Sequence, residues 1–118
     1  MAYKSVTGTR DVLPEEQPYW RFIEKKIYEI TSLYGYQRID PPIFEETKLF
    51  IRGVGETTDI VEKEMYTFMD RSEHSLTLRP EFTAGFMRLY LQNGMHVRPK
   101  PVKLFSMGPI FRYERPQA

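Results

Sequence analysis

Residues 65–93 read MYTFMDRSEHSLTLRPEFTAGFMRLYLQN, and this stretch decides the fold class. Met65 to Asp70 and Ser75 to Arg79 are short runs of aromatic, aliphatic and β-branched side chains, split by the polar Arg71-Ser72-Glu73. That pattern predicts a β-hairpin. In the second run Leu76 and Leu78 fall on one face and Thr77 and Arg79 on the other, because side chains alternate along a strand. Beyond Pro80, Phe82, Phe86 and Leu89 recur at spacings of three and four, so a helix is predicted from about Glu81 to Asn93, with Gly94 at its end.

Upstream of this stretch, Trp20, Ile23, Ile27, Ile30 and Tyr34 form an apolar stripe, widened by Tyr19 and Phe22. A helix is predicted from about Pro14, with Gly35 in the left-handed position that ends helices. A stripe of this kind is more often core than partner surface. Tyr36 to Asp40 reads as a short strand stopped by Pro41-Pro42, which suits a sheet edge or an interface. Glu45 to Ile51 is predicted as a short helix, and Gly53-Val54-Gly55 with Thr57-Thr58 as a mobile loop. Gly8-Thr9-Arg10-Asp11 reads as a turn. Downstream, Arg98-Pro99-Lys100-Pro101 is a linker. Val102 to Met107 is predicted as a strand, interrupted by Gly108-Pro109 and resumed from Ile110 to Glu114. Nothing in this order makes a βαβ crossover, so the expected class is α+β with an antiparallel sheet flanked by helices.

Composition narrows the function classes. The chain has 118 residues, 41% of them hydrophobic and 28% charged, a globular mixture. Its net charge of +1 gives no electrostatic signal for nucleic acid across the whole chain. With no cysteine, disulfides and thiolate metal sites are excluded, and His74 and His96 lack metal-motif spacing. No apolar run reaches the roughly 18 residues of a membrane helix, and the N-terminus has no signal-peptide core, so a cytoplasmic protein is expected.

Two segments have residue types suited to chemistry. In Phe111-Arg112-Tyr113-Glu114, alternation puts Arg112 and Glu114 on one face. An arginine fork suits a phosphate, although by spacing alone a surface ion pair fits as well. In Thr77-Leu78-Arg79-Pro80-Glu81-Phe82-Thr83, a carboxylate and a hydroxyl two residues apart sit at a strand–helix junction. They could receive a ligand's ammonium group, or be ordinary first-turn residues. Gly53 and Gly55 do not form a phosphate loop, since the Gly-Lys-Ser/Thr ending is absent.

Taken together, the segments resemble the histidyl-tRNA synthetases along nearly the whole chain. Gly8-Thr9-Arg10-Asp11 with Leu13-Pro14 is similar to the family's opening. Gly35-Tyr36, Ile39, Pro42 and Glu45 resemble class II motif 1. Thr58-Asp59-Ile60-Val61 and Lys63-Glu64-Met65-Tyr66-Thr67-Phe68 resemble the segment that follows it. Thr77-Leu78-Arg79-Pro80-Glu81 with Thr83 resembles the amino-acid site. Gly108-Pro109-Ile110-Phe111-Arg112-Tyr113-Glu114-Arg115-Pro116-Gln117 resembles the first half of motif 2.

The resemblance implies a six-stranded antiparallel class II catalytic fold, of which residues 1–118 would be the N-terminal part, and a homodimer with motif 1 at its seam, including Tyr36, Ile39 and Pro42. By matching position, Glu81 and Thr83 would hold the histidine ammonium group. Arg112 would meet the ATP α-phosphate, and Glu114 would help position ATP. Gln117 would lie in the loop reaching toward the tRNA acceptor end. ATP, histidine and tRNA(His) are the implied partners, with Mg2+ implied by the family and no metal site on this chain. Because the chain stops inside motif 2, it is expected to be at best a very poor catalyst alone. A silent paralogue that shares the fold, such as the regulatory subunit of ATP phosphoribosyltransferase, is the alternative. Presence of both the Glu81/Thr83 and the Arg112/Glu114 pairs favours the synthetase.

Overall fold

The computed structural model of the chain describes residues 2–54 and 64–113. The Cα trace divides into two units, Met1–Gln37 and Arg38–Ala118. In the first, helix α1 spans Gln17–Leu33. It begins later than Pro14, because Glu16 and Gln17 are still in tight turns, donating to the Leu13 and Pro14 carbonyls. Pro18 then sits in the first turn, where its missing N–H has no intrahelical partner to lose. The helix ends as its sequence predicts. Gly35 has φ +77°, its N–H returns to the Ser32 carbonyl, and the Tyr36 N–H returns to Thr31. Arg10 reaches forward to Glu16 at 2.7 Å and holds that carboxyl below its ordinary range, an exposed pair of small energetic weight.

The stripe on α1 is not core. No residue of the helix is buried, and Trp20, Ile23, Ile30 and Tyr34 are 41–62% exposed. The physical reason is that the first unit contains one helix and no second layer to close over its apolar face.

The second unit is organised around strand β4, Ser75–Leu78. The hairpin forms as predicted, with β3 (Thr67–Met69) antiparallel to β4 and Phe68 opposite Leu76. Its turn is held by Asp70, whose carboxylate accepts the Ser72 and His74 amides at 2.8 Å, with Glu73 at φ 63°. These bonds, the His74 amide foremost, lower the Asp70 pKa. On the other side of β4 lies β2 (Phe44–Glu46), a strand where a helix was expected from Glu45. Phe44 pairs with Leu78 and Glu46 with Leu76, and these unused edge bonds of β4 outweigh the helical reading. Helix α2 follows at Thr47–Val54, so Gly53 and Val54 belong to its last turn rather than to a loop. Gly55 and the Thr57 to Lys63 stretch lie outside the described residues.

Helix α3 spans Thr83–Gln92, and Gly94 behind it has φ +64°. A short 3-10 turn at Met95–Val97 precedes the proline segment. The strand expected from Val102 to Met107 is only Leu104–Phe105 (β5), paired with β1 at Gln37–Arg38. β1 is shorter than Tyr36 to Asp40 because the Tyr36 N–H is taken by the helix end and Pro41 cannot donate. The described residues thus form a two-stranded and a three-stranded sheet, not a continuous six-stranded one. The antiparallel α+β class stands.

Alternation along β4 is as expected, but the polar face is the more buried one. Thr77 is fully buried and Arg79 is 6% exposed, whereas Leu76 and Leu78 are half-buried. Burial is possible because the hydroxyls satisfy one another. Thr77 donates to Thr47 at 2.9 Å, so Thr67, at 2.9 Å, must donate to Thr77, and Thr47 and Ser75 share a further hydroxyl–hydroxyl bond at 2.7 Å. Among the described residues Phe50, Met65 and Met95 are the buried large apolar side chains. Gly85 is buried where α3 meets β2, since a Cβ there would stand 3.3 Å from Glu45 Oε2. Glu45 also accepts Arg88 at 2.8 Å.

Thr77→Val keeps the shape and removes the middle of the hydroxyl chain. It should lower the unfolding free energy by about 1–3 kcal/mol, read from urea midpoints at constant slope. Adding Thr67→Val should cost less than Thr67→Val alone, because its partner is already gone.

Candidate functional site

The strand–helix junction is built by proline. Pro80 cannot donate, so β4 ends there, while its carbonyl remains an acceptor. Arg79 completes the pairing on each side: its N–H donates to the Ile43 carbonyl at 2.8 Å, and its carbonyl accepts the Phe111 N–H at 2.9 Å. Glu81 then turns its carboxylate onto the start of α3, accepting the Thr83 and Ala84 amides. These amides have no intrahelical partner, and the helix dipole favours negative charge at this end. The carboxylate is therefore fixed in direction before any ligand arrives.

Arg112 comes to the same place from a different part of the chain. Its Nε donates to the Pro80 carbonyl at 2.9 Å. The fold thus brings together Glu81, Thr83 and Arg112, which the sequence singles out from segments about thirty residues apart. Thr83 and Arg112 are exposed and Glu81 is half-buried, so all three face an accessible surface. The expected strand from Ile110 to Glu114 is absent over residues 110–113. The Phe111 amide bonds to Arg79 but the Tyr113 amide bonds to Glu64 at 2.7 Å, so alternate amides answer to two different neighbours and no single ladder forms. Tyr113 also packs its ring edge-on to Tyr66 at 5.9 Å. Glu114 and Gln117, and with them the predicted sharing of one face by Arg112 and Glu114, lie outside the described residues.

Behind the junction is Arg79, which the sequence reading did not single out as a site residue. Its Nε donates to the Pro109 carbonyl at 2.8 Å and its Nη1 to the Pro41 carbonyl at 3.1 Å. Its guanidinium carbon lies 4.3 Å from the centroid of the Phe82 ring. Burial lowers its pKa and the charge of Asp40 opposes that, but an arginine stays protonated at any working pH. A signal was present in the sequence: an arginine in an apolar strand, directly before a proline, with a Gly-Pro pair elsewhere in the chain.

Of the residues expected at a dimer seam, Tyr36 and Pro42 are exposed, and Ile39 is half-buried with its N–H on the Phe105 carbonyl at 3.0 Å. Of the adjacent prolines only Pro41 is buried. A separate cleft of about 220 Å3 is lined by Glu45, Glu46, Lys48, Leu49 and Arg88, and shares no residue with the Glu81–Arg112 site. Among the described residues no group of three or more acidic, histidine or cysteine side chains could hold a metal ion, and no helix is long and apolar enough to cross a membrane.

A site made of a helix-capped carboxylate beside a guanidinium can receive a cation and an anion side by side. Comparison with known proteins gives the context. Residues 8–118 match the family described as histidyl-tRNA synthetase. A histidine–tRNA ligase of Dehalococcoides mccartyi is 60% identical over 116 residues, which cover 98% of this chain and 28% of that protein. The solved structure of apo Staphylococcus aureus histidyl-tRNA synthetase superposes with a TM-score of 0.82 at 42% identity, covering 95% of this chain and 26% of that one. A Bacillus halodurans protein described as an ATP phosphoribosyltransferase regulatory subunit/histidyl-tRNA synthetase gives 0.79 at 26% identity, covering 98% and 29%. The chain therefore spans little more than a quarter of the length of these relatives.

Glu81→Ala removes the acceptor for two helix-end amides. It should cost about 0.5–2 kcal/mol of stability in urea unfolding, and Glu81→Gln, which keeps an acceptor oxygen, should cost less.

Proposed function

Since the chain belongs to the histidyl-tRNA synthetase family, we propose that residues 1–118 are the N-terminal part of the catalytic domain of a histidine–tRNA ligase. The observation that carries this reading is the junction at Pro80, whose carbonyl accepts Arg112 Nε and whose next residue is the capped Glu81. In the proposed reaction the histidine carboxylate attacks the α-phosphorus of ATP. An oxygen–phosphorus bond forms, the bond to the bridging oxygen breaks, and pyrophosphate leaves. A hydroxyl at the acceptor end of tRNA(His) then attacks the carbonyl carbon of the adenylate, an ester forms, the acyl–phosphate bond breaks and AMP leaves.

Little covalent chemistry is asked of the protein in such a step; positioning and charge stabilisation are the main tasks. Glu81, with Thr83, would hold the histidine ammonium group, and its fixed direction means that no helix-end rearrangement accompanies binding. Arg112 would face the α-phosphate, where negative charge grows as the nucleophile arrives. Glu114 would help position ATP, and Gln117 would reach toward the acceptor end of tRNA. Mg2+, which the family implies, would be held largely by the nucleotide phosphates. The site works in a cytoplasmic homodimer in this reading, with Tyr36, Ile39 and Pro42 at the seam. The paralogue reading is less supported, since the match to ligase relatives is at 60% identity and that to the protein with the dual description is at 26%.

The deciding assay is histidine-dependent ATP–pyrophosphate exchange by the protein encoded by the complete gene. Arg112→Ala should reduce kcat by about a hundred- to a thousandfold, and Arg112→Lys should also be impaired because it keeps the charge without the fork. Glu81→Ala should raise the histidine KM and leave the ATP KM largely alone. Near-normal exchange by Arg112→Ala would remove that residue from the chemistry.

Sedimentation of the same protein at low micromolar concentration should give a dimer. A stable monomer there would contradict the seam.

A further inference from the structure

We propose that Arg79 is a positioning residue, whose buried fork sets where Arg112 stands relative to Glu81. The inference rests on the function proposed above. Its starting point is an oddity of charge. Buried arginines are usually paired with carboxylates. Arg79 has the charge of Asp40 near it, but its hydrogen bonds described above go to two main-chain carbonyls, Pro109 at 2.8 Å and Pro41 at 3.1 Å. The guanidinium carbon lies over the ring of Phe82, the residue between Glu81 and Thr83.

Three bonds then register one segment against the other. The Pro109 carbonyl is held by the Arg79 side chain, the Phe111 N–H by the Arg79 carbonyl, and Arg112 Nε by the Pro80 carbonyl. Two of the three belong to Arg79. Releasing its side chain frees the segment two residues before Phe111, and the shift would be passed to Arg112. Glu81 is anchored separately, on the amides of α3, so it would keep its direction. The result would be a carboxylate in place and a guanidinium displaced.

Residue type matters at both ends of this contact. A planar fork meets two acceptors in different directions, whereas lysine has one nitrogen on a flexible stem. Gly108 is the complementary requirement. A Cβ there would fall 2.5 Å from Arg79 Nη2, and that tip is pinned by its hydrogen bonds on the same guanidinium. Gly108→Ala should therefore act on the same contact from the opposite side.

The test uses the protein encoded by the complete gene, with Arg79→Lys and Gly108→Ala made singly, together, and each with Arg112→Ala. Hydrogen exchange needs no substrate. The Phe111 amide should lose protection by at least about tenfold in both single variants, while the Leu78 amide, bonded to Tyr66 within the hairpin, keeps its own. In pyrophosphate exchange, normalised by active-site titration, kcat should fall about ten- to a hundredfold with the histidine KM nearly unchanged. The Arg79→Lys/Gly108→Ala pair should be little worse than either alone. In the Arg112→Ala background neither should cost more than about twofold further, because the effect runs through Arg112.

Unchanged protection at Phe111 overturns the proposal. So does equal loss at Phe111 and Leu78 in both variants, which marks Arg79 as a general stabiliser, and so does a full multiplicative loss on top of Arg112→Ala. If the unsubstituted protein shows no histidine-dependent exchange, the proposed function fails, and the Phe111-to-Leu78 comparison alone decides the positioning claim.

Discussion

A guanidinium removed from water must find acceptors, and the second unit is arranged so that one guanidinium does. Arg79 draws a carbonyl from Pro41 and another from Pro109 to the end of β4. These segments are 38 and 30 residues away in sequence. Without that convergence the residues around Pro80 and those after Gly108 would be registered only by the Phe111 amide on the Arg79 carbonyl and by Arg112 on the Pro80 carbonyl. Both prolines suit the role because each keeps a carbonyl acceptor and has no N–H that also needs a partner. The charge is costly to bury, so the arrangement is specific: few other side chains could hold both carbonyls at once.

The same economy runs along the rest of β4. Its buried face carries a hydroxyl, then a guanidinium, where a hydrophobic pattern would put leucines. The hydroxyl chain through Thr67, Thr77, Thr47 and Ser75 closes one end of that face, and the Arg79 fork closes the other. A directional interior holds geometry more tightly than an apolar one, because each bond constrains an angle as well as a distance. The proposed site sits at the Arg79 end, where such constraint matters most.

Much of this was legible from sequence, and the failures have identifiable causes. The hairpin, the end of α1 at Gly35 and α3 followed from local chemistry, and local chemistry is what sequence displays. β2 was missed because Phe44-Glu45-Glu46 resembles a helix start until the open edge of β4 is present. Strands at Tyr36 to Asp40 and Val102 to Met107 were drawn too long, since propensity cannot tell which amides a helix end will take. The buried face of β4 was hidden by hydropathy, because Thr77 and Arg79 look like solvent residues until their partners are known. Glu81, Thr83 and Arg112 stood out by residue type and received their roles from the resemblance; that Arg112 comes to the Pro80 carbonyl is a product of the tertiary structure.

Dependence on partners so far along the chain has a consequence for how the protein is made. Arg79 leaves the ribosome before Pro109, and at about 5–20 residues per second the interval of thirty residues lasts on the order of seconds. During that time the hairpin can form, since Ser75–Leu78 needs only residues already synthesised. The guanidinium cannot bury, because one of its acceptors does not yet exist. The nascent chain therefore holds a hydrated, positively charged strand end in waiting, and the junction at Pro80 can be assembled only once Pro109 has arrived.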